Sequence, residues 1–145
     1  MSSTPHQNVS RVVDFFENLS QDNLSDIPMI YADNAWFKDP FNEVRGLAEI
    51  NRIFAHMFVQ VDFPRFVVTS QTVESQNAFL TWNFTFRMKR FSNAEQAIRG
   101  ATHLQFNDAG LVSYHRDYWD AAEELYEKLP LLGGLMRVLK RAARN

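Results

Sequence analysis

Two stretches of the sequence carry side chains that could move a proton. The first is FKDPF, in which Asp39 stands among apolar residues and is followed by Pro40. A carboxylate in apolar surroundings is harder to ionise, and this suits a general base. The Asp-Pro pair is also a common turn initiator, and on the local sequence alone the turn is favoured.

The second stretch is GLVSYHRDYWD, residues 110–120, whose β-branched and aromatic residues predict a strand. Side chains alternate between the two faces of a strand, so His115, Asp117 and Trp119 share one face. His115 and Asp117 could therefore form a hydrogen bond or share a proton. The alternative is a solvated strand face on which the two residues form an ion pair.

The sequence lacks the motifs of several other catalytic and cofactor-binding chemistries. The four histidines show no compact ligand spacing, and one histidine with one carboxylate falls short of a metal-ligand set. There is no Gly-x-Ser-x-Gly elbow, no glycine spacing of a dinucleotide or phosphate loop, and no cysteine. We therefore expect neither a metal nor a cofactor.

Length and charge narrow the class of protein. At 145 residues the chain is long enough for one domain with a sizeable core, and its formal net charge of -2 does not favour nucleic acid. The amino terminus, MSSTPHQN, lacks the apolar segment of a signal peptide, and no apolar run approaches the length of a membrane span. We expect a cytoplasmic protein.

The chain contains 13 phenylalanines, which could fill a core or line an apolar cavity.

Hydrophobic periodicity predicts helices in the first third of the chain. Apolar residues at helical spacing predict one helix over residues 9–19 and another over 47–58. Asn23 or Ser25 could cap a short helix that ends near Tyr31, and residues 36–39 form a short extended piece.

After Pro64 the periodicity becomes that of strands. Residues 65–73, 79–90, 98–106 and 111–119 are predicted strands, and a turn at 107–110 joins the last two. In the second of these strands, the inward face carries Leu80, Trp82, Phe84 and Phe86. Helices followed by a meander of strands predict an α+β fold, with the helices on one face of an antiparallel sheet.

The C-terminal segment, residues 121–145, is predicted to be helical. Its basic amphipathic tail, residues 135–144, carries Arg137, Lys140, Arg141 and Arg144. Such a tail could lie on a membrane surface, but packing on its own domain or on a partner is more usual, so we do not expect membrane contact.

The order of elements, together with YADNAWFKDPFNEVRG before a helix and FNDAGLVSYHRDYWD at the end of the sheet, resembles the nuclear-transport-factor-2-like (NTF2-like) superfamily. The pattern is most similar to the SnoaL-like and ketosteroid-isomerase-like branch. The resemblance implies a single domain over 1–145, with 121–145 as a C-terminal helical extension. It also implies a cone-shaped fold, in which a strongly curved sheet and the N-terminal helices enclose an apolar pocket, and a homodimer formed through the outer face of the sheet.

The resemblance also implies roles for individual residues. Asp39 matches the aspartate base of the isomerases, and His115 with Asp117 would face the pocket as a pair that polarises a carbonyl. Phe15 and Thr102 take the positions of the two strong oxyanion donors, so we do not predict an efficient ketosteroid isomerase. The implied substrate-binding residues are Phe15, Tyr31, Phe54, Trp82, Phe84, Thr102, Leu104 and Trp119.

Two classes of function remain open. The first is a cofactor-independent enzyme of isomerase or cyclase type that acts on a small hydrophobic carbonyl compound. The second is a non-catalytic binder of a hydrophobic ligand, or a dimeric interaction module, in which Asp39, His115 and Asp117 form a satisfied hydrogen-bond network. An epoxide hydrolase is disfavoured, because Gly100 and Thr102 replace the alternating Arg and Asp of that branch.

Overall fold

A computed structural model describes residues 3–89, 94–124 and 138–144. Within these ranges, the helices are α1 (Pro5–Glu17), α2 (Ile27–Ile30), α3 (Leu47–Gln60) and α4 (Ala121–Glu124), with a 3-10 helix over Gln21–Asp26. The strands are β1 (Tyr31–Lys38), β2 (Glu43–Arg45), β3 (Val61–Glu74), β4 (Asn77–Met88), β5 (Glu95–Phe106) and β6 (Val112–Tyr118).

Helix α1 begins four residues earlier than its apolar periodicity predicts, because it has a complete N-terminal cap. The backbone N–H of Gln7 donates to Oγ1 of Thr4 at 3.2 Å, and the Gln7 side chain accepts from the N–H of Thr4 at 2.9 Å. This reciprocal capping box satisfies the amides of Thr4 and Gln7, and Pro5 at the first helical position has no amide to satisfy. The helix then buries Val9, Val12 and Phe15.

The six strands form one sheet in the order β2-β1-β6-β5-β4-β3. The sheet is antiparallel as predicted, except that β1 and β6 run parallel. The parallel pair arises because β1 and β6 are not joined by a hairpin: β6 reaches β1 only after the chain has passed through α3 and three long strands. Helix α2 ends at Ile30, close to the predicted end, and β1 follows directly at Tyr31, so the strand begins five residues before the extended piece predicted over 36–39.

The sheet is curved, and its inner face packs on α1 and α3. Strand β4 shows the predicted alternation, with Leu80, Trp82, Phe84 and Phe86 buried. The register of the β5–β6 pair shifts between Gln105 and Phe106, so that both Val112 and His115 are buried. Helices on the inner face of a strongly curved sheet confirm the predicted α+β, cone-shaped fold.

The predicted C-terminal extension lies partly outside the described residues. Its described parts are α4 and a helical stretch over residues 138–144, whereas Arg137 and the rest of the extension are not described. Among the residues that the structure describes, no helix is both long and apolar enough to cross a membrane.

Candidate functional site

Five side chains form a continuous hydrogen-bonded chain on the inner face of the sheet. The hydroxyl of Tyr31 lies 2.8 Å from Nδ1 of His115, and Nε2 of His115 lies 2.7 Å from Oδ1 of Asp117. The same carboxylate oxygen accepts from Oγ1 of Thr102 at 2.6 Å, and Nε1 of Trp82 donates to Oγ1 of Thr102 at 2.8 Å. The chain connects four strands, β1, β4, β5 and β6, and sequence reasoning named each of its members.

Strand register brings these residues together. Thr102 on β5 is paired directly with Asp117 on β6, and Trp82 on β4 is paired with Gly100. A Cβ atom added to Gly100 would lie 2.3 Å from Cη2 of Trp82. The absence of that Cβ lets the indole ring lie flat over β5, from where Nε1 reaches Thr102.

The hydrogen-bonding chemistry of these groups orders the protons in the chain. An indole N–H can only donate, so the hydroxyl of Thr102 accepts from Trp82 and gives its own proton to Asp117. With Asp117 ionised, Nε2–H of His115 also donates to Asp117, and Nδ1 accepts from Tyr31. This tautomer is assigned from the network. Burial, and secondarily the negative charge of Asp117, raises the pKa of Tyr31 well above its ordinary value, so its phenol stays protonated.

Asp117 is held through one oxygen and open at the other. Oδ1 accepts from both His115 and Thr102, whereas Oδ2 has no hydrogen-bond donor among the described residues. The side chain is 19% exposed, in contrast to the buried imidazole of His115. The carboxylate, and not the imidazole, is therefore the group available to a ligand.

Two cavities meet at this carboxylate. The inner chamber has a volume of about 30 Å³ and lies between α1 and the sheet, where its apolar wall is formed by Val12, Val13, Phe16, Val68, Leu80 and Leu104. The outer cleft has a volume of about 1200 Å³ and is lined by α3 and the sheet, including Phe37, Met57, Phe84, Phe86 and Trp119. Four residues line both cavities: Phe54, Phe66, Trp82 and Asp117. Asp117 therefore stands at the junction of two largely apolar spaces.

The predicted substrate-binding residues divide between these cavities, with two exceptions. Phe54 and Trp82 line both, Thr102 and Leu104 line the inner chamber, and Phe84 and Trp119 line the outer cleft. Phe15 lines neither and is buried in the core; Phe16 faces the inner chamber instead, because one helical step turns a side chain by about 100°. Tyr31 also lines neither cavity, since it lies behind His115.

Asp39 forms a turn. Its Oδ1 accepts from the backbone N–H groups of Phe41 at 2.8 Å and Asn42 at 2.7 Å, and from the Asn42 side chain at 3.0 Å. This is the turn that the local Asp-Pro sequence favours. Asp39 does line the outer cleft, but both of its oxygens already accept hydrogen bonds, since Oδ2 accepts from the Asn42 side chain at 3.2 Å. A role of Asp39 as the base stays a prediction, and the geometry argues against it.

Sequence reasoning missed two aromatic residues that shape the site. Phe66 on β3 stacks on Phe84 with ring centroids 4.3 Å apart and meets Trp82 edge-on at 5.7 Å. Phe16 meets the ring of His115 edge-on at 5.8 Å. The helical spacing of Val12, Val13 and Phe16 could have identified the helix face that lines the inner chamber.

The described residues contain no group of three or more His, Asp or Glu side chains that could hold a metal ion. The site presents the fixed carboxylate of Asp117 in an apolar cavity. Such a carboxylate can transfer a proton or bind a hydrogen-bond donor.

Helices over a curved six-stranded sheet that enclose an apolar cavity define a protein of the NTF2-like superfamily. The chain belongs to the SnoaL-like domain family, whose model matches residues 12–115. A search among curated proteins finds no match to this chain.

Solved structures share the fold at low sequence identity. A candidate SnoaL-like polyketide cyclase from Jannaschia is 18% identical with a TM-score of 0.73, over 85% of this chain and 93% of that one. A hypothetical protein with a ketosteroid isomerase-like fold from Catenulispora acidiphila, in complex with trimethylamine, is 14% identical with a TM-score of 0.71, over 85% and 92%. An LEH-like epoxide hydrolase from M. tuberculosis is 12% identical with a TM-score of 0.68, over 94% and 91%.

Proposed function

We propose that this protein is a cofactor-independent enzyme of isomerase or cyclase type, which moves a proton on a small hydrophobic carbonyl compound with Asp117 as the base. The observation that carries this proposal is the state of the carboxylate. Oδ1 is fixed by His115 and Thr102, while Oδ2 is open at the junction of two apolar cavities. A positioned and otherwise unused carboxylate oxygen is what a general base requires.

The reaction would begin when Oδ2 of Asp117 takes a proton from a carbon next to the carbonyl group. The enolate that forms has two outcomes. In a β,γ-unsaturated compound, return of the proton from Asp117 to the γ-carbon moves the double bond and isomerises the compound. Alternatively, attack of the enolate carbon on a second carbonyl of the same molecule closes a ring, and the alkoxide that forms takes the proton back from Asp117. In both cases His115 and Thr102 hold Asp117 in place, and they stabilise its charged form by donating to Oδ1.

The substrate should stabilise much of its own negative charge. The hydroxyl proton of Thr102 is committed to Asp117, and the α1 residues that face the inner chamber, Val12, Val13 and Phe16, have no side-chain donor. Loss of one preorganised donor at a developing oxyanion costs on the order of 10² to 10³ in rate. A 1,3-dicarbonyl compound, whose enolate is spread over two oxygens, suits such a site better than a simple ketone.

The test is exchange of the C–H proton of a hydrophobic β-keto ester, ethyl 2-oxocyclohexanecarboxylate, followed by NMR in deuterated water. We expect wild type to accelerate exchange above the buffer rate and Asp117→Asn to lose the acceleration, on the order of 10² to 10⁴-fold. The matched control is Asp33→Asn, which changes an exposed carboxylate on β1. Equal acceleration by wild type and by folded Asp117→Asn would overturn the assignment of the base.

A non-catalytic binder of a hydrophobic ligand is the second candidate, and one observation favours it. Both ring nitrogens of His115 and the hydroxyl of Thr102 already have partners, so the network can serve the fold alone. Calorimetric binding of the same keto ester to wild type, without any accelerated exchange, would support this function over the enzyme.

A further inference from the structure

We infer that the inner chamber receives a short alkyl branch of the ligand, one or two carbons long, beside the carbon that faces Asp117. The inference rests on the proposed function only in taking Asp117 as the group that the ligand faces. The inner chamber would then select ligands by the length of this branch.

The walls and size of the inner chamber indicate an apolar occupant. Its apolar wall is formed by five aliphatic residues, by Phe16, and by the three aromatic residues that it shares with the outer cleft. Its polar groups, Thr102, His115 and Asp117, belong to the hydrogen-bonded chain on the sheet. One water-sized group needs about 10–15 Å³. A chamber of about 30 Å³ therefore has room for about two carbon groups.

A water molecule suits this space less well than a methyl or ethyl group. An ordered water needs two to four polar partners, as a rule. Both nitrogens of His115 are used, and the hydroxyl proton of Thr102 is given to Asp117. Within the described part of the chain, the water would find two acceptors, Asp117 and Thr102, which is the lower end of this range, and no free donor.

The junction of the cavities sets where the branch must be attached. Phe54, Phe66, Trp82 and Asp117 line both spaces, so a ligand lying in the outer cleft meets the inner chamber at the same point as the carboxylate. A substituent on the atom next to the reacting carbon can then enter the chamber. A longer substituent meets the wall of the chamber, which includes Leu104, a residue with no exposed surface.

The first experiment measures the binding of phenol, 2-methylphenol, 2-ethylphenol and 2-butylphenol to wild type by calorimetry. The phenol hydroxyl can donate to Oδ2 of Asp117, which places the 2-substituent beside the carboxylate. We expect each carbon that fits to tighten binding about fourfold, as for a buried methylene group. The affinity should then level off or fall between ethyl and butyl.

The second experiment changes the size of the chamber. Val68→Ala enlarges it, and we expect the affinity of 2-butylphenol relative to 2-ethylphenol to rise several-fold. Val73→Ala is the matched control, since Val73 is a half-buried valine on the same strand that lines neither cavity. Val13→Phe fills the chamber from α1. In this variant, 2-ethylphenol should bind no more tightly than phenol.

The outcomes separate this inference from the proposed function. Binding that increases steadily through 2-butylphenol, or that ignores the substituent, would overturn the inference and leave the base untouched. Failure of proton exchange with intact length selection would overturn the enzyme and keep the chamber. No binding of any phenol to wild type would overturn the inference.

Discussion

Nε2 of His115 lies 2.7 Å from Oδ1 of Asp117, although the two residues are separated by only one position on β6. Alternate residues of a strand project from the same face, and the length of an imidazole spans the gap between them. Under the proposed function, the roles expected from the sequence change: His115 positions Asp117, and Asp117 is the residue that would face the ligand.

Tyr31→Phe should destabilise the protein, because it removes the hydroxyl that donates to Nδ1 of His115. Tyr31 has no exposed surface, so the nitrogen would remain buried without a donor, at a cost of about 1–3 kcal/mol in the free energy of unfolding. Urea denaturation measures this change. Tyr118→Phe is the matched control, since Tyr118 is 49% exposed, and it should change the value by less than about 0.5 kcal/mol. Equal values for the two variants would contradict the role of Tyr31.

Asp39→Ala should destabilise the protein more than Asp39→Asn does, because the carboxylate of Asp39 holds a turn. The amide oxygen of Asn can accept from the N–H groups of Phe41 and Asn42, whereas Ala cannot. We expect Asp39→Ala to lose about 1–2 kcal/mol of unfolding free energy and Asp39→Asn to lose much less. If Asp39→Asn instead abolished keto ester exchange in a fully folded protein, the base would be Asp39 and not Asp117.

Features that follow from neighbouring residues could be predicted from the sequence, whereas contacts between distant parts of the chain could not. The inward faces of β4 and β6 could be predicted, because strict alternation leaves only the choice between odd and even positions. Strand β2, with three residues, is too short to show any period. The parallel pairing of β1 with β6 depends on residues far apart in sequence, such as Trp36 with Tyr114, and no local pattern reports it.

The same distinction applies to the candidate site. The chain from Trp82 to Tyr31 could be anticipated as a set of inward-facing polar residues, but the atoms that bond to one another depend on side-chain geometry. Phe15 and Phe16 are adjacent aromatics, and periodicity cannot decide which of two neighbours faces a cavity. For Asp39, a dipeptide does not show whether backbone amides reach the carboxylate.

Gly100→Ala should destabilise the protein through a clash with Trp82. The new Cβ would lie 2.3 Å from Cη2 and 2.4 Å from Cζ2 of the indole, so the ring must move away from Thr102. Overpacking of this kind costs about 1–3 kcal/mol. Trp82→Phe removes much of the clashing ring, and the double variant should therefore lose less than the sum of the two single losses, as measured by urea denaturation. Strictly additive losses would show that the two residues do not compete for this space.

His103 should make the protein less stable at acidic pH. Burial lowers the pKa of His103 below its ordinary value, so the unfolded chain takes up a proton at a higher pH than the folded protein does. The stabilisation is complete above the unfolded pKa and is lost as the pH falls through the folded pKa. Urea denaturation at pH 7.5 and 5.0 should show a smaller difference for His103→Gln than for wild type. His6→Gln, which changes an exposed histidine on α1, is the control and should retain the wild-type difference.

The outer face of the sheet should be covered by a second copy of the chain. It carries an aromatic surface formed by Trp36, Phe79, His103, Tyr114 and Tyr118, in which Phe79 stacks on His103 at 4.4 Å and Tyr114 on Trp36 at 4.8 Å. Phe79 is 50% exposed and Tyr118 is 49% exposed, and contiguous apolar surface of this kind favours association.

Light scattering should therefore give the mass of a dimer for wild type and of a monomer for the double variant Phe79→Lys, Tyr118→Lys. Phe63→Lys is the control, because Phe63 is 78% exposed at the start of β3, and this variant should remain dimeric. A monomeric mass for wild type at tens of micromolar would contradict the expectation. Dissociation of the Phe63→Lys variant alone would place the contact at the start of β3 and not on the outer face.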